Sequence, residues 1–352
     1  MLTGGINVKA KEWDIIKKCA NMEFCDSIPM ALIVDSPWIP GYTGISTMDY
    51  LTMPDKWFKA NMKIKNDFPE LIFLPDFWVE MGMATEPSGF GAKVSFYENK
   101  TPTVHHIISD ADDIEQLISI QIPNPRKDGL MPLILNGYKN IKDMAANMGE
   151  SIKIVASRGP LTIASHLMGV TEFLVALKLY PDETHKLLKI TTALVKDWLQ
   201  AQAEVLPEAE GILVLDDIIG FLSEDDYLEF AHPYFKDIFS SFSNCVKLHH
   251  NDTDNPVYYK YLEELQVNIF NFTHKQKISD VRKLVGNKVC LLGNIPPLDV
   301  LANGTPEDVM KSTRECIRDY GMSNGLILSV GGGTSPGTPG ENIRAMIEAT
   351  RA

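Results

Sequence analysis

Eight apolar runs, most of them separated by segments of helical periodicity and each ending in polar residues or glycine, are the feature that most narrows what this chain can fold into. In order they are PMALIVD, LIFLPD, SIKIVASR, GILVLDD, VKLHHND, VNIFNFTH, KVCLLGNI and LILSVGGG. Short runs rich in Val, Ile and Leu read as strands buried on both faces, the mark of a parallel sheet whose crossovers are helices. Eight such units predict an α/β fold, a (β/α)8 TIM barrel. The carboxyl ends of barrel strands share one mouth, so the polar residues closing the runs meet there. Those residues are Asp35, Asp76, Arg158, Asp216, Asp217, His249 or His250, His274 and Asn294.

The segments between the runs fill in the rest. Residues 13–21 predict a helical extension ahead of the first strand, and the turn-rich stretch DSPWIPGYTGISTMDYLTMPDKW a long loop before a helix over 55–66. Residues 86–132 are irregular, with SFYENKTPTVHHII resembling a hairpin, and read as an insertion after the second strand. LTIASHLMGVTEFLVALKL and PDETHKLLKITTALVKDWLQAQAEVL predict two helices, the second opened by Pro181 and acids. SEDDYLEFAHPYFKDIFSSF predicts another, with Ser223 as its N-cap. With 45% hydrophobic and 22% charged residues, the 352-residue chain is expected to fold over 1–352 as a single domain.

A formal net charge of -13 argues against nucleic acid and anionic membrane surfaces as partners and favours a small molecule. No apolar stretch approaches membrane-spanning length, and the first residues lack the apolar core of a signal peptide, so a cytoplasmic location is expected. The five cysteines, Cys19, Cys25, Cys245, Cys290 and Cys316, are scattered and form no CxxC pair, as expected for reduced thiols.

Chemistry concentrates in two runs. Asp216 and Asp217 are adjacent carboxylates, a pairing that drives one pKa upward for acid–base work or else caps nearby backbone donors. His249, His250 and Asp252 combine imidazole and carboxylate as a divalent metal requires, with His274 one strand further on. Strand alternation lets only one of the adjacent histidines face the axis, the other packing behind the sheet. Arg158 offers a clamp for an anionic substrate group or an ion pair with the same acids. Asp35, Trp38, Asp76, Trp78 and Asn294 are the expected substrate contacts, the aromatics serving equally well as small loop cores. His105 and His106 read as hairpin or surface residues, and Glu229 as a local pairing partner.

RGPLTIASHLMGVTEFLVALKLYPDETHKLL, LDDIIGFLSEDDYLEFAHPYFKDIF, LLGNIPPLDVLANGTPEDV and GGGTSPGTPGENIRAMIEA, in that order, resemble the uroporphyrinogen decarboxylase superfamily. The resemblance implies the barrel and one of two activities: decarboxylation of a carboxylate-rich tetrapyrrole in haem synthesis, or zinc-assisted methyl transfer to or from a corrinoid protein. The first uses an arginine-rich amino-terminal segment, whereas here the first arginine is Arg126 and the matching stretch reads SIPMALIVDSPWIPGYTG. Thiol methyltransferases of the superfamily hold zinc with His-x-Cys after the fifth strand and Cys after the eighth. The matching KLHHNDTDN and LSVGGGTSP contain no cysteine. Aligning His249 leaves Asn251 at the Cys place; aligning His250 leaves Asp252 there and keeps two ligands. Imidazole and carboxylate make a harder, more Lewis-acidic zinc site, suited to an ether oxygen rather than a thiol.

By resemblance, then, the chain is expected to be a methyltransferase that moves a methyl group from a small O- or N-methylated substrate to the cobalt of cobalamin. The corrinoid would be carried by a separate protein, since the chain has no DxHxxG signature, and the enzyme would be a homodimer or smaller. The alternatives are a decarboxylase acting on a small carboxylated substrate through Arg158 and an acid, and a non-catalytic ligand-binding barrel.

Overall fold

The computed structural model describes residues 10–351. Its eight barrel strands are β1 (Ala31–Ile33), β2 (Ile72–Leu74), β3 (Ile154–Arg158), β4 (Gly211–Leu215), β5 (Val246–Asn251), β6 (Ile269–Phe272), β7 (Cys290–Ile295) and β8 (Leu326–Val330). All of them run parallel. β3 to β8 form one continuous ladder in chain order, and β1 pairs with β2. A bridge between Met30 and Leu328, with Leu328 N–H donating to Pro29 O at 2.8 Å, joins β1 to β8.

Among the described residues no ladder joins β2 to β3. The chain leaves β2 through Pro75, which has no N–H to give, and then through Asp76 and Phe77 at φ 64 and 46. Neither feature is compatible with a continuing strand. The barrel is therefore closed by ladder on seven sides and by packing on the eighth, where Trp78 enters the interior core.

Alternation decides what faces the axis. Ile33, Leu213, Leu215, Leu248, Ile269, Leu292 and Ile327 share one inner core, separate from the shell between strands and helices. The leading helix, Ala10–Ala20, sends Trp13, Ile16 and Cys19 into the same inner core and closes the amino-terminal end. A Cβ on Gly211, the first residue of β4, would lie 2.8 Å from the Trp13 ring. Glycine there is what lets the plug seat.

Two predicted helices are broken in two. Pro160–Met168 and Val170–Leu179 meet at 105° about Gly169, whose φ of 97 favours glycine. Glu224–Phe230 ends before His232–Ser241, because Pro233 cannot donate into a preceding turn and starts a helix of its own. The insertion contains the expected hairpin, Val94–Ser95 with Thr103–Val104. Among the described residues no single helix is long and apolar enough to cross a membrane.

Candidate active site

Continuing the alternation from Leu248 brings His250 and then Asp252 to the axis at the carboxyl end of β5. His250 is 6% exposed and its Nδ1 lies 2.7 Å from Asn271 Oδ1 on β6. The Asn271 amide nitrogen donates to Leu292 O at 2.8 Å and Val330 O at 3.1 Å, carbonyls of β7 and β8. With both amide hydrogens committed, the Asn271 oxygen can only accept. His250 Nδ1 therefore carries the hydrogen, and the lone pair of Nε2 is left open toward the mouth.

Asp217 Oδ1 lies 3.7 Å from that Nε2 and accepts from Asp252 N–H at 3.2 Å. One ligand atom from each of Asp217, His250 and Asp252 falls within 4.8 Å of the other two. Loss of water pushes the Asp252 carboxyl upward and Asp217 adds to the push, while His250 and His274 oppose it. The late glycines make the room. A Cβ on Gly332 would sit 2.6 Å from Asp252 Oδ2, and one on Gly331 2.3 Å from His274 N. A nitrogen and two carboxylates at this spacing suit a small divalent cation such as zinc, and the Asn271 contact at Nδ1 leaves Nε2 as the atom that would bind it.

Several predicted site residues lie elsewhere. His249 faces the opposite way, 2% exposed, with its Nδ1–H on Val214 O at 3.1 Å and its ring stacked on Phe270 at 5.8 Å. Burial pushes it down to about 3, so it is a neutral packing residue and not a ligand. Asp216 is fully buried and caps Pro160–Met168, accepting from Leu161 N at 2.9 Å, Thr162 N at 3.1 Å and Thr162 Oγ1 at 2.9 Å. Burial lifts its carboxyl to about 7 against those Thr162 bonds. Gly159 is required beside it, since a Cβ there would meet Asp216 Oδ2 at 2.3 Å.

The expected substrate contacts also need correction. Trp38 is 1% exposed and donates from its indole to Thr338 O at 3.0 Å, so it builds a loop core. Asn294 spends its amide on Thr273 O and Gln276 O at 3.2 and 2.7 Å, pinning the β6 loop. Asp76 is drawn to the buried ammonium of Lys65 at 2.6 Å, which also meets Glu12 and Glu150 at 3.5 Å. With Glu150, Lys153 and Glu210 it lines a cavity of about 280 Å³. Those residues precede β3 and β4, which puts the cavity toward the amino-terminal end. The turn after Pro75 reverses the direction in which this acid points.

The β1 to β3 side of the mouth has its own charges. Arg158 lies with its guanidinium 5.1 Å from the centre of the Trp78 ring. Glu86 accepts from Arg158 N–H at 2.9 Å and from Ser157 Oγ at 3.2 Å. Asp35 is pushed up to about 7 by burial and by Glu80, with Arg158 opposing. Glu80 accepts from Ser36 N–H at 3.1 Å and from Gly82 N–H. His166 is pushed down to about 4 by burial, then by Arg158 and His106. Glu80, Glu86, His166 and Asn271 were not anticipated from the sequence. For Asn271 the signal was there: it is the polar residue two places from Ile269, on the inner face of β6.

A profile of the family described as uroporphyrinogen decarboxylase (URO-D) matches residues 42–352. This chain belongs to the uroporphyrinogen decarboxylase family. Among curated relatives, the uroporphyrinogen decarboxylase of Methylobacillus flagellatus is 27% identical over 286 residues, 76% of each chain. A methylated-thiol–coenzyme M methyltransferase of Methanosarcina mazei is 27% identical over 226 residues, 63% of this chain and 59% of that one. Among solved structures, a methyltransferase from Methanosarcina mazei superposes with a TM-score of 0.78 at 19% identity, covering 96% of this chain and 97% of that one. The family thus supplies the barrel and an enzymatic setting in which both decarboxylases and a methyltransferase occur.

Proposed function

We propose that this member of the uroporphyrinogen decarboxylase family is a methyltransferase. It takes a methyl group from a small O- or N-methylated substrate and passes it to the cobalamin of a separate corrinoid protein. The observation that carries the reading is the His250 imidazole, locked by Asn271 with Nε2 open beside Asp217 and Asp252. His250, Asp217 and Asp252 would hold zinc. When bound, the ion supplies Lewis acidity to the oxygen or nitrogen that loses its methyl group. Asn271 fixes the imidazole, Gly332 keeps Asp252 free of steric block, and Trp78 with Arg158 borders the space beside them.

The likeness to a Methanosarcina methyltransferase supports this reading, and so does the arginine distribution. Arg126, the first in the chain, is on the surface with Asp197 at 2.8 Å and Glu204 at 2.8 Å, far from serving a tetrapyrrole polyanion. Replacing the thiolates of a thiol-activating site by carboxylates favours a hard leaving atom.

The deciding experiment is metal analysis of protein purified without chelator, followed by turnover with a reduced corrinoid protein and methyl ethers, amines and betaines. Stoichiometric zinc lost in Asp252→Ala, with corrinoid methylation by one donor class, is the expected outcome. A metal-free protein of unchanged activity sinks it. Silence from all three donor classes moves the assignment to the second reading, decarboxylation of a small carboxylate, which Arg158 and the raised carboxyl of Asp35 favour.

A further inference from the structure

Two arginines in this structure are equally buried, each 7% exposed, and they are treated in opposite ways. Arg282 is tied down at both terminal nitrogens, which donate to Gly286 O at 2.7 Å, Val289 O at 2.8 Å, Gly325 O at 3.0 Å and the Tyr320 hydroxyl at 3.1 Å. It is a brace. Arg158 has none of this. Among the described residues no carboxylate comes within 4.0 Å of its guanidinium and no acceptor meets it. The acid that does touch this residue, Glu86, takes the backbone N–H. What the guanidinium has is a flat support, the Trp78 ring at 5.1 Å.

A guanidinium carries five N–H donors and stays charged. Those of Arg158 are not sealed inside the protein, as the Nε of Arg282 is, so they are open to an acceptor that a ligand brings. We infer that Arg158 is the anchor for an anionic group on the substrate, a carboxylate above all, gripped by the planar fork while the methylated end reaches the His250 cluster. This rests on the reading of that cluster as the methyl-transfer site, and it names the substrate class.

Three observations support it. The fork geometry of guanidinium matches a carboxylate by two parallel hydrogen bonds, and stacking on Trp78 fixes the plane in which they form. The neighbouring charges do not cancel the cation: burial pushes both Asp35 and Glu86 toward their neutral forms and holds His166 unprotonated. The register sets a length. Arg158 pairs with Leu215 and Leu215 with His250, so anchor and cluster are two strands apart, roughly 10 Å along the sheet. A methoxybenzoate, with its carboxylate and its methyl group at opposite ends of a rigid ring, suits an anchor and a cluster on separate strands.

The test compares 4-methoxybenzoate with its neutral isostere 4-methoxybenzamide by calorimetric titration of the zinc-loaded protein. The wild type is expected to prefer the carboxylate at least tenfold. Arg158→Gln should bind the two alike, and Arg158→Lys, which keeps the charge without the fork, should retain only part of the preference. Equal affinities in the wild type, binding of neither, or a preference that survives in Arg158→Gln each overturn the inference. The wild-type comparison stands on its own should a variant misfold. Zinc content separates this idea from the methyltransferase reading. A protein that binds 4-methoxybenzoate through Arg158, yet holds no metal and methylates no corrinoid, defeats that reading alone. One that holds zinc and methylates a corrinoid with no carboxylate preference defeats this inference alone.

Discussion

The two sides of the barrel mouth carry charge on different kinds of support. On the β4 to β6 side, His250 and the two aspartates stand on or directly after strands of a continuous ladder; His250 is aimed by Asn271, whose amide is tied to backbone carbonyls, and Asp217 by the Asp252 N–H. On the β1 to β3 side the ladder is interrupted, and Arg158, Asp35 and the two glutamates are held by a tryptophan face and by the segment after β2. Rigid strands fix a geometry to a fraction of an ångström, whereas packed segments yield to what they bind. The difference teaches that an ion with strict coordination demands and a substrate of variable shape make unlike demands on one fold, and that this barrel meets them on different strands of one mouth.

The sharpest way to break that comparison is at His250. His250→Ala should lose stoichiometric zinc altogether in a chelator competition, while Arg158→Gln keeps it; equal loss in both would mean the two sides are one site. His249→Ala should do the reverse, lowering stability by about 3 kcal/mol in urea unfolding with zinc content intact, since it removes a buried ring and no ligand. Asn271→Ala should weaken zinc binding by roughly 10-fold to 100-fold through the freed imidazole, and an unchanged affinity would deny it the orienting role.

The one effect that depends on pH belongs to Asp35. Its folded pKa is raised, so the folded state holds the proton more tightly than the unfolded one, and stability falls as pH rises from about 4 through about 7. Asp35→Asn mimics the protonated form. The variant and wild type should melt together near pH 4, with the variant the more stable at pH 8; melts that differ equally at both values would exclude the linkage.

Much of this was legible in the chain. Each of the eight runs is a strand, and the period-two rule already required the adjacent histidines to part company. Which of them turned inward was not legible, because both faces of this strand are buried, and the alternation of Val246, Lys247 and Leu248 does not say which face is the axis. Asp76 was misplaced for a different reason: the position of an acid after a strand says nothing of a left-handed turn that reverses it. Glu80 and Glu86 escaped notice inside the irregular stretch EMGMATEP, residues 80–87, where no periodicity assigns a face. Their partners, the Ser36 and Arg158 backbone N–H groups, are 44 and 72 residues away.

The side chain of Asn271 touches four consecutive strands, standing on β6, bonded to the imidazole of β5, and reaching main-chain carbonyls of β7 and β8. Local fraying of β8 therefore frees an amide hydrogen, lets the amide rotate and unlocks the imidazole before any ligand residue has moved. Ion release and the loosening of that sheet edge become one cooperative event, so hydrogen exchange at Val330 should slow on zinc binding although no zinc-holding residue lies on β8.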